Sequence, residues 1–441
     1  MNKEKWIQCA NEKGFESFEI YQSQQKGRSV TWFDGQMETL TTNNILGTSI
    51  RGVYQGNMAY LALEKVEDEK MGEVLDSLKE QAQTITSTDL AKIRKPEKYE
   101  MVKNTHHWVE PSMEEIKACL ESLEKKLLAY DSRIIQVASL GWEQSSQTRE
   151  IINSYGMQEK DADCVQYLVA SVVVKENDIV MDDYEIEVIE NLKHFDSDAF
   201  VAKLCQKALF QLSATSMPSQ SCPVIFSNKA MTLLLSSFMG LFNGDLIYKG
   251  ISPIKDKLNQ TIFSNKITII DDPKNSDCLS IANFDDEGCP TQRTVLVHDG
   301  VFANMLLDTS SATRLHLEST GNGFKSSYAS DVSVQPMNCC IQPGKKSLET
   351  MCQEMGDGLV IDDLQGLHAG LDFVTTNFSL QCNGYLIKNG RKEKAIRLIT
   401  VADSFLHLMN QVVEVGNDLD WKYHTVASPS IRFKECAISG D

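Results

Sequence analysis

The spacing of apolar and polar residues predicts a first unit of short strands flanked by two helices. Residues 3–13 are helix-like, and 66–85 again have apolar residues at helical spacing. Five strand-like stretches lie between them, at residues 18–24, 30–33, 36–42, 46–54 and 57–63. Asp34–Gly35 carries the signature of a type I′ hairpin, and Gln55–Gly56 predicts a second hairpin.

A second unit with the same order of elements follows a polar stretch at 86–111 that is typical of a linker. Ser112 and Glu115 form the S-x-x-E pattern that begins a helix, predicted to end near Tyr130. Strand-like stretches and a hairpin near 176–178 precede a helix over 197–212. The shared order of one helix, several strands and one helix indicates an architectural duplication.

The remaining chain is rich in strands and turns, interrupted by short helices such as the apolar one at 229–242. Strands and helices do not alternate regularly, which favours an α+β fold over a doubly wound sheet. We therefore predict two smaller units with antiparallel sheets and a larger strand-rich C-terminal domain. The predicted boundaries are 1–90, 112–213 and 222–441.

Charge and composition narrow the classes of partner. The 441 residues are 42% hydrophobic and 24% charged, with a formal net charge of −18. An acidic surface repels phosphate, which argues against nucleic acid and anionic membranes as partners. The first residues lack a signal-peptide pattern, and no apolar run reaches about 18 residues. We therefore expect a cytoplasmic protein, whose twelve cysteines serve as small buried hydrophobic residues.

Several familiar catalytic motifs do not occur in the sequence. None of the eight histidines belongs to an H-E-x-x-H motif, and His106–His107 falls in the predicted linker, where we expect it to be solvated. Phosphate-binding G-x-x-x-x-G-K-[ST] and the G-x-S-x-G elbow are also missing. Spacing alone does not exclude a Cys/His nucleophile pair, but nothing singles one out.

One acidic cluster stands apart, because Asp285, Asp286 and Glu287 directly precede Gly288. These carboxylates could bind a cation or the amino terminus of a peptide. The alternative is a solvated acidic turn in which Gly288 supplies a positive φ. In such an exposed loop, neutralising the charges would change stability by no more than about 0.5 kcal/mol. The nearby Gly321–Asn322–Gly323 predicts only a turn.

Motifs along nearly the whole chain resemble the TldD/PmbA family. The N-terminal stretches that carry this resemblance are EIYQSQQKGRSVTWFDGQMETL (19–40) and GTSIRGVYQGNMAY (47–60). The C-terminal stretches are ITIIDDP (267–273), FDDEGCPTQRTVLVHDGVFANMLLDTSSA (284–312), STGNG (319–323), IQPGKKSLETM (341–351), GLVIDDLQGLHAGLDFVTTNFSLQCNGYLIKNG (358–390), RLITVADSFLHLMNQVVEVGNDL (397–419) and SPSIRF (428–433). Their order and spacing are more specific than any single stretch.

The resemblance implies where the family's zinc site would lie in this chain, and it implies that the zinc ligands are replaced here. The TldD branch carries H-E-x-x-x-H on a helix that corresponds to 229–242 here. Ser236, Ser237 and Leu241 occupy the positions of its first His, its Glu and its second His. The family's Cys ligand would fall near 421–424, which contains no cysteine, and Cys436 lies later. The chain therefore resembles the zinc-less PmbA (TldE) branch.

For that branch, the resemblance implies a non-catalytic subunit that binds no metal. Its partner would be a TldD-like subunit that holds zinc, and the pair would degrade or trim peptides in an enclosed chamber. Asp285, Asp286 and Glu287 are our candidates for residues that contact the peptide. The resemblance also implies a homodimer when the chain is isolated. Two alternatives stay open, an independent hydrolase with a repurposed pocket and a protein that modulates DNA gyrase by direct contact.

Overall fold

A computed structural model describes residues 1–85 and 92–441 of the chain. The predicted linker falls in part on 86–91, outside the described residues, and 92–111 contains no helix or strand. The α-helices in the described ranges are α1 (Lys3–Glu12), α2 (Met71–Thr84), α3 (Met113–Tyr130), α4 (Ser197–Gln211), α5 (Asn228–Phe238), α6 (Gly244–Tyr248), α7 (Thr309–Leu315), α8 (Leu348–Met355) and α9 (Phe405–Asn410).

The strands of the first 213 residues are long, and those of the C-terminal part vary widely in length. The strands are β1 (Ser17–Phe33), β2 (Gln36–Tyr54), β3 (Asn57–Leu63), β4 (Ile134–Asn153), β5 (Gln158–Glu176), β6 (Ile179–Val188), β7 (Gln220–Phe226), β8 (Ile269–Asp271), β9 (Thr294–His298), β10 (Val301–Phe302), β11 (Gly323–Phe324), β12 (Ser333–Val334), β13 (Cys339–Ile341), β14 (Gly358–Gln365), β15 (Asn377–Lys388), β16 (Arg391–Ser404), β17 (Val412–Val415), β18 (Val426–Ala427) and β19 (Ile431–Ser439).

A single six-stranded antiparallel sheet contains the strands of both predicted smaller units, in the order β3-β2-β1-β4-β5-β6. The pairing of β1 with β4 joins the two halves. Each half runs helix, three strands, helix, and the strand order is symmetric about the β1–β4 pair. This symmetry agrees with the predicted duplication, although the first half has three long strands rather than the five shorter ones predicted.

The helices cover the two ends of one face of this sheet. Phe18, Ile20 and Val30 lie on the same face of β1, because alternate residues of a strand point the same way. Phe18 and Ile20 pack with residues of α1 and α2, whereas Val30 packs with residues of α3 and α4. The stretch between them is polar, and none of the helices in the described residues covers it, which is why the sequence pattern breaks one strand into two.

Local turn chemistry was predicted correctly. Asp34 and Gly35 both have positive φ, 48° and 74°, and they connect the paired residues Phe33 and Gln36. Gln55 and Gly56 do the same with φ of 50° and 79°. The capping box predicted at Ser112 is also present at the start of α3.

The C-terminal part is built around a second six-stranded sheet, ordered β16-β15-β14-β7-β19-β17. An additional pairing of β16 with β19 closes five of these strands into a ring. Helix α5 packs its apolar side into the hydrophobic core to which the strands of this sheet also contribute. A smaller five-stranded sheet, β10-β9-β8-β13-β18, completes this part. The predicted α+β class, with a strand-rich C-terminal domain, is confirmed.

The predicted role of cysteine agrees with the structure, and that of His106 does not. All twelve thiols are free, seven of them buried and five half-buried. His106 is half-buried rather than solvated: its Nδ1 lies 2.7 Å from Glu190 Oε1 and its Nε2 lies 3.2 Å from the Cys278 carbonyl oxygen. These contacts tie the 92–111 stretch to both large parts of the fold. Within the described residues, helices that are long and apolar enough to cross a bilayer are absent.

Candidate functional site

The helix predicted to replace the family's zinc motif is α5. Ser227 caps its start by accepting a hydrogen bond from the Ala230 amide. The Ser236 hydroxyl donates to the Thr232 carbonyl oxygen at 2.7 Å, and the Ser237 hydroxyl donates to that of Leu233 at 2.8 Å. Both hydroxyls are therefore bonded to their own helix. Leu241 lies just beyond α5, fully buried in the core, so none of the three positions presents a metal ligand.

The segment predicted to replace the family's Cys ligand lies beside α5. Lys422, Tyr423 and His424 line a small cavity of about 90 Å³ together with Asn228, Lys229 and Thr232. The rings of Tyr423 and His424 are 4.4 Å apart. Burial, with a contribution from Lys422, lowers the pKa of His424 and so favours its neutral form. Cys436 is buried in β19, where its register partner is Cys222.

A larger cleft of about 820 Å³ opens next to this cavity, and we call it the α4–β6 cleft. One wall is formed by residues of α4 and β6, and the other by residues of β14, β15 and β16. Lys229, at the start of α5, lines both the cleft and the small cavity. The start of α5 therefore borders both concave surfaces, whereas Ser236, Ser237 and Leu241 line neither of them.

Several ion pairs lie along the walls of the α4–β6 cleft. Lys207 pairs with Asp183 at 2.7 Å, and Lys229 pairs with Asp363 at 3.0 Å. Tyr184 lies between these two lysines, whose Nζ atoms are 5.4 Å and 5.1 Å from the centre of its ring. Such cation–π contacts hold the exposed tyrosine ring in one place.

Glu185 anchors the junction of the cleft and the small cavity. Its Oε1 lies 3.0 Å from Lys422 Nζ and 3.1 Å from Lys203 Nζ. Burial favours the protonated carboxyl, but the two ammonium groups outweigh it and lower the pKa of Glu185. The carboxylate therefore stays ionised and paired, which suits a rigid wall better than a general base.

The acidic cluster is buried, so its interpretation as a solvated turn is wrong. Asp285, Asp286 and Glu287 are at most 4% exposed, at the contact between the first sheet and the C-terminal part. Asp286 Oδ1 lies 2.9 Å from Arg149 Nη1, and Glu287 Oε1 lies 3.3 Å from Arg51 Nη1. We call Asp285, Asp286, Glu287, Arg51, Arg149 and Glu19 together the buried ion network. Gly288 has the predicted positive φ, 72°.

The cluster has few acceptors left for a ligand. Asp285 accepts the amides of Glu287, Cys289 and Gly323. Burial and the charge of Glu287 nevertheless raise its pKa well above the ordinary value. The second oxygens of Asp286 and Glu287 accept the amides of Lys325 and Thr309. Every carboxylate oxygen of the cluster is thus already hydrogen-bonded, and its predicted contact with peptide stays a prediction.

Lys325 lies between two further cavities beside the buried ion network, of about 270 Å³ and 320 Å³. Its Nζ donates to Ser49 Oγ and lies over the rings of Tyr21 and Tyr60 at 4.9 Å and 4.6 Å. Burial and the neighbouring Arg51 lower the pKa of Lys325 to about 8. Sequence reasoning missed this lysine and the two arginines, because isolated cations in or near strands carry no motif.

No group of three or more His, Cys, Asp or Glu side chains is arranged to hold a metal ion within residues 1–85 and 92–441. The site therefore consists of a helix whose Ser236 and Ser237 hydroxyls bond to its own backbone, a small cavity and a large cleft with fixed ion pairs.

Comparison with known proteins places this architecture in one family. Models described as PmbA/TldA metallopeptidase domain 1, central domain and C-terminal domain match residues 18–82, 106–213 and 219–440. The metalloprotease PmbA of Escherichia coli O157:H7 is 27% identical over 335 residues, which cover 76% of this chain and 72% of that protein. A metalloprotease TldD homolog of Buchnera aphidicola is 30% identical over 224 residues, 50% of this chain and 46% of that protein.

Solved structures agree with this assignment at the level of the fold. TldE from Thermococcus kodakarensis superposes with a TM-score of 0.89 at 24% identity, over 99% of this chain and 100% of that one. A Thermotoga maritima protein named as a modulator of a DNA gyrase has a TM-score of 0.88 at 22% identity, over 99% of each chain. With family models matched along almost its whole length, the chain belongs to the PmbA/TldD family of metallopeptidase-type proteins.

Proposed function

We propose that this chain is a non-catalytic, PmbA/TldE-like subunit of a TldD/TldE-type zinc metalloprotease. Its zinc-bearing partner performs the hydrolysis, and this chain shapes the chamber and holds the peptide. The observation that carries the proposal is the state of α5: Ser236 and Ser237 bond to their own helix, and Leu241 is part of the core. A zinc protease needs ligands and a base at such positions.

The α4–β6 cleft supports a role in holding peptide. Its volume of about 820 Å³ lies within the range of small-molecule sites, and it accommodates a short peptide segment. Gln365, Gln381 and Asn383 line it and offer amide donors and acceptors that can bind a peptide backbone of any sequence. Tyr184 adds an aromatic surface for side chains.

The cleft supports an independent hydrolase less well. The residues that line it and the neighbouring cavity include no thiol. The pKa of Glu185 is lowered, whereas a general base near neutral pH needs a raised carboxylate pKa. His424 lies in the small cavity, but its ring contacts Tyr423 and it has no paired nucleophile in the lining.

The proposal is tested by reconstitution with a zinc-bearing family subunit from the same source. We expect no peptide cleavage by this chain alone and well below one zinc per chain after dialysis, because α5 supplies no ligand. The mixed subunits should co-purify and cleave unfolded peptides faster than the zinc-bearing subunit alone. Cleavage by this chain in metal-free buffer, or stoichiometric zinc in it, would contradict the proposal.

A single substitution in the cleft tests where the peptide binds. Tyr184→Ala should lower kcat/KM of the reconstituted pair about five- to tenfold, since an exposed cation–π and aromatic surface contributes about 1 kcal/mol. Tyr248→Ala is the matched control, because Tyr248 is also about half exposed and lies 5.7 Å from an arginine, Arg314, but away from the cleft. Equal kcat/KM for the two variants, with assembly intact, would move the peptide site elsewhere.

A further inference from the structure

Leu398 combines two features that are unfavourable for an apolar residue. Its φ is 55°, in the left-handed region, and its side chain is 62% exposed. A positive φ strains the backbone of a residue with a side chain, and an exposed leucine gains nothing from burial. The other non-glycine residues with positive φ in the described ranges are all polar. Packing within the chain therefore does not explain Leu398, and strain of this kind clusters at functional sites.

A β-bulge in β16 sets the position of Leu398. On β15 the single residue Asn383 lies opposite two residues of β16, Arg397 and Leu398. The Arg397 amide donates to the Thr215 carbonyl oxygen at 3.1 Å, which fixes the bulge. Neighbouring residues of a regular strand point to opposite faces, whereas Arg397 and Leu398 both line the α4–β6 cleft. The bulge therefore gives the cleft a cation and an apolar side chain from adjacent positions.

The facing wall of the cleft presents a second exposed apolar residue. Val180 of β6 lines the cleft and is 52% exposed. Its neighbour Met181 contacts the bulge, with Sδ 2.8 Å from Arg397 Nη1. Val180 and Leu398 thus lie on either side of the contact between the two walls, and both offer apolar surface to a ligand.

Arg397 has hydrogen-bond donors left for that ligand. A guanidinium carries five N–H donors, and the Met181 thioether is only a weak acceptor. Lys392 also lines the cleft, where its Nζ lies 3.7 Å and 4.3 Å from the ring centres of Phe210 and Tyr385. In the part of the chain that the structure describes, neither cation forms an ion pair with a carboxylate. Two such cations in one cleft of a chain with a net charge of −18 indicate an anionic ligand.

The aspartates of the cleft do not neutralise these cations. Two of the four already pair with lysines, as described above. Asp362 favours the charged form of Lys392, but burial outweighs it and lowers the pKa of Lys392. Asp182 and Asp362 repel a carboxylate elsewhere along the walls, which leaves the side of Arg397 for it.

We propose that Arg397, Leu398 and Val180 bind the C-terminal residue of a peptide that ends in an apolar side chain. The terminal carboxylate accepts hydrogen bonds from Arg397, and the side chain packs on Leu398 and Val180. A C-terminal residue carries both groups on one Cα atom, which matches the adjacent positions of Arg397 and Leu398. The carboxylate of an internal Asp or Glu belongs to a different residue from the apolar group.

The rest of such a peptide extends along the cleft. Tyr184 is four residues beyond Val180 on β6, roughly 13 Å away at 3.3 Å per residue, so about five extended residues reach from the bulge to its ring. This inference rests on the proposed function, in which the cleft holds peptide. It adds which end of the peptide is recognised and which type of residue.

Binding of short peptides to the isolated chain tests the proposal by fluorescence anisotropy. The probe is a fluorescein-labelled hexapeptide of glycine and serine that ends in leucine with a free carboxylate. We expect its Kd to rise about tenfold when the terminus is amidated, and about tenfold when serine replaces the leucine, because each change removes one contact. No saturable binding, or equal binding of the amide, overturns the proposal. Failure of the reconstituted pair to cleave would contradict the proposed function only, since this binding needs no zinc-bearing partner.

Arg397→Gln tests the carboxylate contact. It should weaken binding of the free peptide about tenfold and leave binding of the amidated peptide unchanged. Arg391→Gln is the matched control, because Arg391 is an exposed cation of the same strand that does not line the cleft. Equal loss of binding in both variants would assign the effect to net charge and overturn the proposal.

Leu398→Gly tests the apolar contact. It should weaken binding of the peptide that ends in leucine and leave binding of the one that ends in serine unchanged. Glycine adopts a positive φ without strain, so the midpoint of denaturant unfolding should not fall. Leu317→Gly is the control, because Leu317 is 50% exposed and does not line the cleft. Unchanged binding of the leucine peptide by Leu398→Gly, or the same loss in Leu317→Gly, overturns the proposal.

Discussion

Replacing Arg149 by Met is expected to lower the free energy of unfolding by about 3–5 kcal/mol, the usual cost of breaking a buried ion pair from one side. The guanidinium lies 2.9 Å from Asp286 Oδ1 and 3.2 Å from Asp161 Oδ2, and it donates to the Phe284 carbonyl oxygen at 2.8 Å. Its side chain is 13% exposed and that of Asp286 is 5% exposed. Methionine keeps the length of the stem but leaves the buried carboxyl group of Asp286 without its main partner.

A surface arginine provides the matched control. Arg133 pairs with Asp131 at 2.9 Å and Glu176 at 3.2 Å, but its side chain is 40% exposed. Arg133→Met should cost far less than Arg149→Met, because solvent screens exposed ion pairs. Denaturant unfolding of the two variants gives the comparison. Arg149→Met unfolding at the same denaturant concentration as Arg133→Met would mean that the buried ion network contributes little.

A double-mutant cycle separates the ion pair from the packing of the arginine. Asp286→Asn removes the charge that Arg149→Met would leave unpaired. The double variant should therefore be more stable than the sum of the single changes predicts, by about 1–3 kcal/mol, as found for residues in direct contact. Additive single effects would assign the loss to the contacts of Arg149 with the Phe284 and Phe324 rings instead.

The turns of the fold could be predicted from the sequence, whereas the lengths and pairing of the strands could not. Asp34–Gly35 was predicted correctly because positive φ at two consecutive residues depends on local chemistry alone. The length of β1 was missed because its middle, around Lys26–Gly27, is polar on both faces. A strand with no covering layer lacks the apolar alternation by which strands are recognised. The joining of two units into one sheet depends on pairing across more than a hundred residues, which no local pattern encodes.

The same limit applies to the candidate site. Three adjacent carboxylates before a glycine are typical of exposed loops, so the sequence left two interpretations of Asp285, Asp286 and Glu287, contact with a peptide or a solvated turn. Their partners Arg149 and Arg51 are 137 and 236 positions away along the chain. Burial of the cluster follows from tertiary pairing and could not be read from the local sequence. Only the family resemblance identified Ser236, Ser237 and Leu241 as the positions that correspond to the zinc motif.

Asp271, like Asp285, is a buried carboxyl group with a raised pKa, and its hydrogen bonds give it a structural role. It is fully buried in β8, where its oxygens accept hydrogen bonds from Asn322 Nδ2 at 2.8 Å and from the Met337 amide at 2.7 Å. Asn322 belongs to the Gly-Asn-Gly turn, which therefore does more than reverse the chain. Burial raises the pKa of Asp271 to about 7, although both hydrogen bonds favour the charged form.

This pKa makes one part of the stability depend on pH in a defined direction. The folded chain holds the Asp271 proton up to about pH 7, whereas the unfolded chain releases it near its ordinary value of 3.8. Between these values the folded state binds more protons, so the stability that Asp271 contributes is complete below about pH 4 and is lost as pH rises to about 7. At 1.36 kcal/mol per pKa unit, the loss over this whole range is about 4 kcal/mol.

Asp271→Asn removes this titration and is expected to flatten that part of the pH profile. The variant loses one hydrogen bond at every pH, so wild type should be the more stable of the two near pH 5. Its advantage should shrink by about 2–4 kcal/mol, or reverse, by pH 8, because only wild type must bury a charge there. Denaturant unfolding across that range measures the difference.

Glu67→Gln is the control for this pH dependence. The surface lysine partners of Glu67 lower its pKa to about 2, so the stability that Glu67 contributes is lost only on acidification. The difference in stability between Glu67→Gln and wild type should therefore stay constant from pH 5 to 8. A constant difference for Asp271→Asn as well would show that Asp271 is ionised in the folded chain throughout.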